Sequence, residues 1–272
     1  MKKITEIEII KSFVRTCSDG WEQGWHERNG GNLTYRLKKE EVEECKKYFK
    51  AREWQELKIK ASLMAGEFFI VTGSGKYMRN VPLCPEDNIC IVEISESGDK
   101  YRIMWGLEHG GNPTSELPTH IMNHNAKAEA GCDCRVIYHA HTPSLIALTF
   151  VLPLTDKDFT KVLWTSATEC PVVFPQGVGV VEWMVPGGAE IAVATSKLMS
   201  KYDAVVWAHH GLFCAGPDLD TTFGLMHTIE KAADIYVRAL SCGKGIRQTI
   251  TDDNIRAIAK DFGFRVAEEF LD

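Results

Sequence analysis

No stretch of this 272-residue chain approaches the ~20 consecutive apolar residues that a helical membrane span requires, so no such span is expected. A basic excess is also missing. The formal net charge of −6 speaks against a nucleic-acid binder, since a surface that tracks phosphates needs lysine and arginine in surplus. The nine cysteines are odd in number and scattered without framework spacing, which predicts reduced thiols in a cytosol, not a disulfide scaffold. The first residues, Met1 to Lys11, interrupt their apolar run with Glu6 and Glu8, so they read as an amphipathic helix and not a signal peptide. Neither an internal repeat nor a composition break that would mark a linker is found. The expectation is one cytoplasmic α/β domain over residues 1–272.

At 44% hydrophobic and 25% charged residues the chain can bury one sizeable core. Apolar residues at helical spacing predict a helix over 5–24, and Leu33 to Leu37 alternates like a strand. The polar and aromatic segment 38–65 has no clean period and reads as an insertion at the surface. Strands are predicted at 68–71, 89–94 and 101–105, the last two joined by the turn cluster Ser95 to Asp99. A helix opens near Thr114-Ser115-Glu116, with Ser115 as its N-cap, and runs to about residue 130. Further expectations are a strand at 135–141, a short helix at 143–151, and two short strands within 172–183 around Gly177. A helix at 187–201, a strand at 204–210, and helices at 218–241 and 252–262 complete the reading.

Val136-Ile-Tyr-His139-Ala-His141 ends a strand with histidines at i and i+2. Strand side chains alternate faces, so both imidazoles point the same way, roughly 6–7 Å apart, and two ring nitrogens can meet one metal ion. Alone, such a pair is as often two half-exposed polar residues. A second strand, Ala204 to His210, also ends in histidine, and three such ligands would leave a fourth position open, the catalytic pattern. Spacing does not choose between His209 and His210. Cys132 and Cys134 with His139 and His141 form a rival closed site, but the interval is too short for an extended strand to wrap one ion. Those two cysteines read as loop thiols.

Two glycine-rich turns, Asn29-Gly-Gly-Asn32 and Thr72-Gly-Ser-Gly75, offer main-chain amides and neutral donors to an anion, although neither matches a Walker or dinucleotide fingerprint. Thr114 and Ser115 add hydroxyls beside a helix start. Glu116 there has an ordinary use in complementing the helix dipole. It has a chemical one if it reaches a carbon-bound proton.

The segments Glu27-Arg-Asn-Gly-Gly-Asn-Leu-Thr34, Phe69-Ile-Val-Thr-Gly-Ser-Gly-Lys76, Pro113-Thr-Ser-Glu-Leu-Pro118, His139-Ala-His141 and His210-Gly211 resemble, in order, the class II sugar-phosphate aldolase and epimerase family. Met104-Trp-Gly-Leu107, Thr168 to Pro175, Trp183 to Gly187 and Thr222 to Leu225 look like its rhamnulose-1-phosphate aldolase branch. The resemblance covers about residues 10–265. It implies a three-layer α/β/α domain around a mixed, largely antiparallel sheet, assembled as a homotetramer. It also implies one Zn2+ per subunit held by His139, His141 and His210, the last because the family's third histidine directly precedes the glycine. Asn29, Gly31, Asn32, Ser74, Gly75, Thr114 and Ser115 fall on the family's phosphate- and ketone-binding positions. Glu116 falls on its acid/base, and Glu169 on a glutamate that reaches a neighbouring subunit's site. The implied reaction cleaves L-rhamnulose 1-phosphate to dihydroxyacetone phosphate and L-lactaldehyde, zinc stabilising the enediolate. L-Fuculose-phosphate aldolases and pentulose-5-phosphate 4-epimerases share the histidines and are the alternatives. A non-catalytic module such as the adducin head has no reason to keep all four of these groups.

Overall fold

The computed structural model describes residues 3–272; Met1 and Lys2 of the expected N-terminal amphipathic segment lie outside the described residues. In chain order the strands are β1 (Asn32–Arg36), β2 (Gln55–Glu56), β3 (Phe68–Thr72), β4 (Ile89–Ile94), β5 (Lys100–Gly106), β6 (Val136–Ala140), β7 (Gly179–Val181), β8 (Ala204–Trp207) and β9 (Gly211–Gly216). The helices are α1 (Glu8–Glu22), α2 (Lys39–Lys46), α3 (Pro85–Asn88), α4 (Leu117–Glu129), α5 (Pro143–Leu148), α6 (Asp156–Ser166), α7 (Cys170–Val173), α8 (Ala189–Met199), α9 (Leu219–Ser241) and α10 (Asp252–Phe262). All strands join one sheet in the order β2-β5-β4-β3-β1-β6-β9-β8-β7, antiparallel throughout except for the parallel β7–β8 pair.

Strand alternation divides the sheet's two faces. On one face Leu33 and Tyr35 of β1, Ile70 of β3 and Val136, Tyr138 and Ala140 of β6 bury against Ile10 and Phe13 of α1 and Met226 and Ile229 of α9. On the other, Phe69, Val71 and Val92 meet Leu117 and Ile121 of α4, while Ile137, Val205, Trp207 and Phe213 meet Ile191 and Met199 near α8. Helices therefore cover both faces, giving the expected three layers. His139 belongs to the α4 face, because it is one residue out of phase with Tyr138 and Ala140.

Several local expectations are corrected. The predicted strand 204–210 stops at Trp207; His209 takes φ +58° and turns the chain into β9, a strand not anticipated, which pairs with both β8 and β6. The first of the two strands expected within 172–183 is instead α7, with Pro171 in its first turn, where proline's fixed φ suits a helix. Ser115 is not the N-cap: α4 starts at Leu117, Glu116 occupies the cap position, and no side chain caps it. Helix α6 is also new. Segment 38–65 is no mere excursion, since it supplies α2 and edge strand β2 and buries Cys45, Leu57, Ala61 and Met64. The expectation of free thiols fails at one place, where the turn after α4 brings Cys132 and Cys134 to a Cα separation of 5.3 Å and a disulfide joins them. That pairing also removes the rival Cys2His2 site.

Candidate metal and acid–base site

β1 and β6 pair with Asn32 opposite His139 and Thr34 opposite Ile137, so the Asn32 side chain and the His139 ring project from the same sheet face. His141 lies just past the end of β6 and keeps that side. His210 arrives from the β8–β9 turn. Ring centroids are 5.3 Å apart for His139–His141, 5.0 Å for His139–His210 and 4.9 Å for His141–His210. One nitrogen from each ring lies within 4.8 Å of the other two. His209 is carried away from this cluster: its Nδ1 lies 3.1 Å from Thr149 Oγ1 and its ring packs on Phe150.

Two of the three rings are held by their other nitrogens. His139 Nδ1–H donates to the Leu212 carbonyl at 3.1 Å, and His141 Nδ1 meets Glu27 Oε1 at 2.6 Å. His139 also stacks on Phe213, with centroids 4.2 Å apart. Its Nε2 is fully buried and has no hydrogen-bond partner among the described residues. An orphaned buried nitrogen aimed at two other imidazoles fits a cation better than it fits bare protein. Burial and the neighbouring imidazoles of His210 and His141 hold the His139 pKa well below its ordinary value; burial, then His141, lowers that of His210 to about 4. Both are therefore neutral at pH 7 and present lone pairs.

Glu116, at the start of α4, directs Oε2 to 3.9 Å from His139 Nε2 and accepts a 2.9 Å hydrogen bond from Asn32 Nδ2–H. It is buried, and desolvation raises its pKa above the ordinary carboxylate value even though Asn32 favours the ionised form. A carboxyl group so placed is able to take and return a proton beside a cation site.

The glycine turns differ in their reasons. At Gly31 φ is +71°, and an added Cβ would lie 2.4 Å from His26 Nδ1 and 2.7 Å from the His139 carbonyl oxygen. The turn is pressed against β6, with His26 Nδ1–H donating to the Gly30 carbonyl and His26 Nε2 bonded to the Tyr138 hydroxyl. Gly75 also has positive φ, +69°, but nothing lies within 4 Å of its Cβ position. Gly31→Ala should therefore destabilise by about 1–3 kcal/mol more than Gly75→Ala, because only the former adds a clash to the backbone strain. Equal melting temperatures for the two variants would contradict this close approach.

Ser74, Thr114 and Ser115 line one cavity of about 340 Å³ with Asn112 and Lys58. Backbone bonds from Ser74 N–H to the Asn112 carbonyl and from Thr114 N–H to the Thr72 carbonyl zip the two segments together. Asn29 is exposed on the turn before Asn32. Lys58, a cation beside these hydroxyls, was missed by sequence reasoning because it sits in the aperiodic segment. Glu169 stands apart: it is exposed ahead of α7, with no hydrogen bond or ion pair to the imidazole cluster among the described residues.

The model of the class II aldolase and adducin N-terminal domain matches residues 11–237. The chain belongs to the class II aldolase and adducin family. Full-length relatives place this aldolase on the catalytic side of that family. It is 43% identical over 270 residues to a rhamnulose-1-phosphate aldolase of Listeria monocytogenes, covering 99% of this chain and 98% of the relative. It is 44% identical over 274 residues to a rhamnulose-1-phosphate aldolase of Klebsiella pneumoniae, with 100% and 99% covered. A crystal structure of a sugar-phosphate aldolase from Thermotoga maritima superposes with a TM-score of 0.75 at 28% identity, covering 88% of this chain and 97% of that one. No helix among the described residues is long and apolar enough to cross a membrane.

Proposed function

We propose that this aldolase cleaves L-rhamnulose 1-phosphate to dihydroxyacetone phosphate and L-lactaldehyde, using one Zn2+ per subunit held by His139, His141 and His210. The observation that carries the reading is the buried, unpartnered Nε2 of His139, which faces two other imidazoles on one side and the Glu116 carboxylate on the other. The two full-length relatives named above support this substrate. Zinc bound by three neutral imidazoles would keep its full charge and act as a Lewis acid for the negative charge that develops on the sugar oxygens.

The chain's own groups do the rest. Glu116 returns a proton to the dihydroxyacetone phosphate carbon after the carbon–carbon bond breaks, and abstracts it in the condensation direction. Asn32 holds the carboxylate in place. Asn29, Gly31, Asn32, Ser74, Gly75, Thr114 and Ser115 form the phosphate- and ketone-binding surface, supported by the zipped Ser74 and Thr114 segments and the cavity they line. Glu169 serves the site of an adjacent subunit in a homotetramer; its exposure within one chain and the exposed Trp183 and Val185 support assembly. The protein acts as one domain in the cytoplasm.

Release of dihydroxyacetone phosphate from L-rhamnulose 1-phosphate, followed with a coupling dehydrogenase, tests this directly. L-Fuculose 1-phosphate and a pentulose 5-phosphate serve as competitors, and preference for either overturns the substrate assignment. Glu27→Gln should weaken zinc binding about tenfold, because it removes the carboxylate that orients His141 while leaving the zinc-binding nitrogens. The low end of the usual range applies, since the Glu27 side chain is 66% exposed. Competition with a chelator measures it, and an unchanged zinc affinity counts against the role.

A further inference from the structure

Behind Asn32 lies a chain of buried polar groups that the reaction as described does not use. His120 and His124 are one turn apart on α4, and Thr34 of β1 sits between them. His120 Nε2 meets Asn32 Oδ1, His120 Nδ1 lies 2.9 Å from Thr34 Oγ1, and Thr34 Oγ1 lies 2.9 Å from His124 Nε2. All three side chains are buried, with the His120 ring 5.5 Å from Phe213 and the His124 ring 4.9 Å from Phe69. Placing two imidazoles and a hydroxyl in an apolar layer costs free energy unless their hydrogen bonds are matched in direction.

With Glu116 ionised, one assignment of hydrogens matches the side-chain contacts that link Glu116, Asn32, His120, Thr34 and His124. The Glu116 carboxylate accepts, so Asn32 presents its NH2 to it and turns Oδ1 towards His120. His120 Nε2 must then carry the hydrogen, which leaves Nδ1 to accept from the Thr34 hydroxyl. The Thr34 oxygen in turn accepts from His124 Nε2–H, which in a neutral ring leaves His124 Nδ1 without a hydrogen. That nitrogen is one of the few buried polar atoms without a partner. The scheme requires neutral rings, and burial pushes the His120 pKa down to about 3 and that of His124 well below its ordinary value.

We infer that His120 is a positioning residue for Glu116: its Nε2–H fixes the orientation of the Asn32 amide, so that the amide hydrogens, and not the amide oxygen, face the carboxylate. The oxygen and nitrogen of an asparagine amide are nearly equal in size, so packing alone does not choose between the two orientations. With Glu116 ionised, the flipped form would set Oδ1 against Oε2, two acceptors in contact, and push the carboxylate out of line. The inference rests on Glu116 being the acid/base.

A double-mutant cycle tests it. His120→Leu should lower kcat about 10- to 100-fold, the cost of misplacing a catalytic group by an ångström or so. KM should change by less than about threefold, and zinc content should stay at the wild-type level. His120→Gln, whose amide nitrogen reaches near the Nε2 position, should recover kcat to within about fivefold. In a Glu116→Gln background, His120→Leu should cost no more than about twofold, since the carboxylate it orients is gone. A purely structural histidine would cost the same in both backgrounds, and that additive result overturns the inference, as does wild-type kcat in His120→Leu. Neutron diffraction from the deuterated wild-type protein is an independent reading that needs no variant to fold. A deuteron on His120 Nε2 is expected, and one on Nδ1 overturns the orientation argument. Full turnover in Glu116→Gln alone would instead overturn the acid–base reading, so the two failures are distinguishable.

Discussion

Glu116→Gln should keep its zinc and its fold but turn over L-rhamnulose 1-phosphate about 100- to 10,000-fold more slowly, the range by which a positioned general acid or base accelerates a reaction. The substitution is nearly isosteric. Its amide oxygen still accepts from Asn32 Nδ2–H, so the bond that places the side chain survives. No stability loss is expected, since the change replaces a buried carboxyl that pays a desolvation cost whenever it ionises. What disappears is the capacity to carry a proton. Exchange of a dihydroxyacetone phosphate carbon-bound hydrogen with solvent deuterium should slow in parallel with cleavage. A variant with near-normal cleavage and exchange would remove Glu116 from the mechanism.

His139→Ala should bind less than one tenth of the wild-type zinc after dialysis and lose measurable aldolase activity. His139 is the most buried of the three histidines, and its Nε2 has no other partner, so its removal subtracts a ligand that nothing nearby replaces. The Leu212 carbonyl would also lose its donor, and a hole would open beside Phe213 and Trp207. The variant should thus melt several degrees lower even when both proteins are compared free of metal. Elemental analysis decides the matter: full zinc occupancy in His139→Ala would place the ion elsewhere. The two variants separate the roles, one losing the proton carrier with the metal in place, the other losing the metal.

Much of the architecture was legible from periodicity. Helix α10 falls on the expected residues, α1 and α9 nearly so, and the hairpin β4–β5 follows its turn cluster Ser95 to Asp99. The failures share a cause. β9 is the short apolar run Gly211–Gly216 whose separation from β8 depends on a left-handed backbone at His209, and no side-chain pattern announces that conformation in a histidine. The four-residue helix α7 has the sequence signature of a strand, because valines favour strands and the segment is too short for its period to show. Segment 38–65 looked like an excursion because an edge strand of two residues leaves almost no pattern. The Cys132–Cys134 pairing depends on how sharply the chain turns after α4, which spacing alone does not reveal.

At the site, the His139–His141 pair was visible because two residues along a strand return to the same face. Glu116 was singled out from its place ahead of a helix and from resemblance. Its link to Asn32 joins residues 84 apart in the chain, and only the pairing of β1 with β6 brings that amide beside His139. The partnership of Thr34, His120 and His124 has no signal in the sequence, since no rule pairs a threonine in a strand with two histidines on a buried helix face.

The sequence by itself determined most of the longer helices, the longer strands with a buried face, and which residues have the chemistry to hold a cation and move a proton. Those properties are local, set by side-chain type and by repeats of 2 and 3.6 residues. The tertiary structure decided that His210 and not His209 enters the cluster, that Asn32 holds Glu116, and which way the Asn32 amide faces. These are choices between groups of equal composition and nearly equal spacing. They are settled by backbone reversal, strand register and the directional demands of buried hydrogen bonds, none of which exists until distant segments meet.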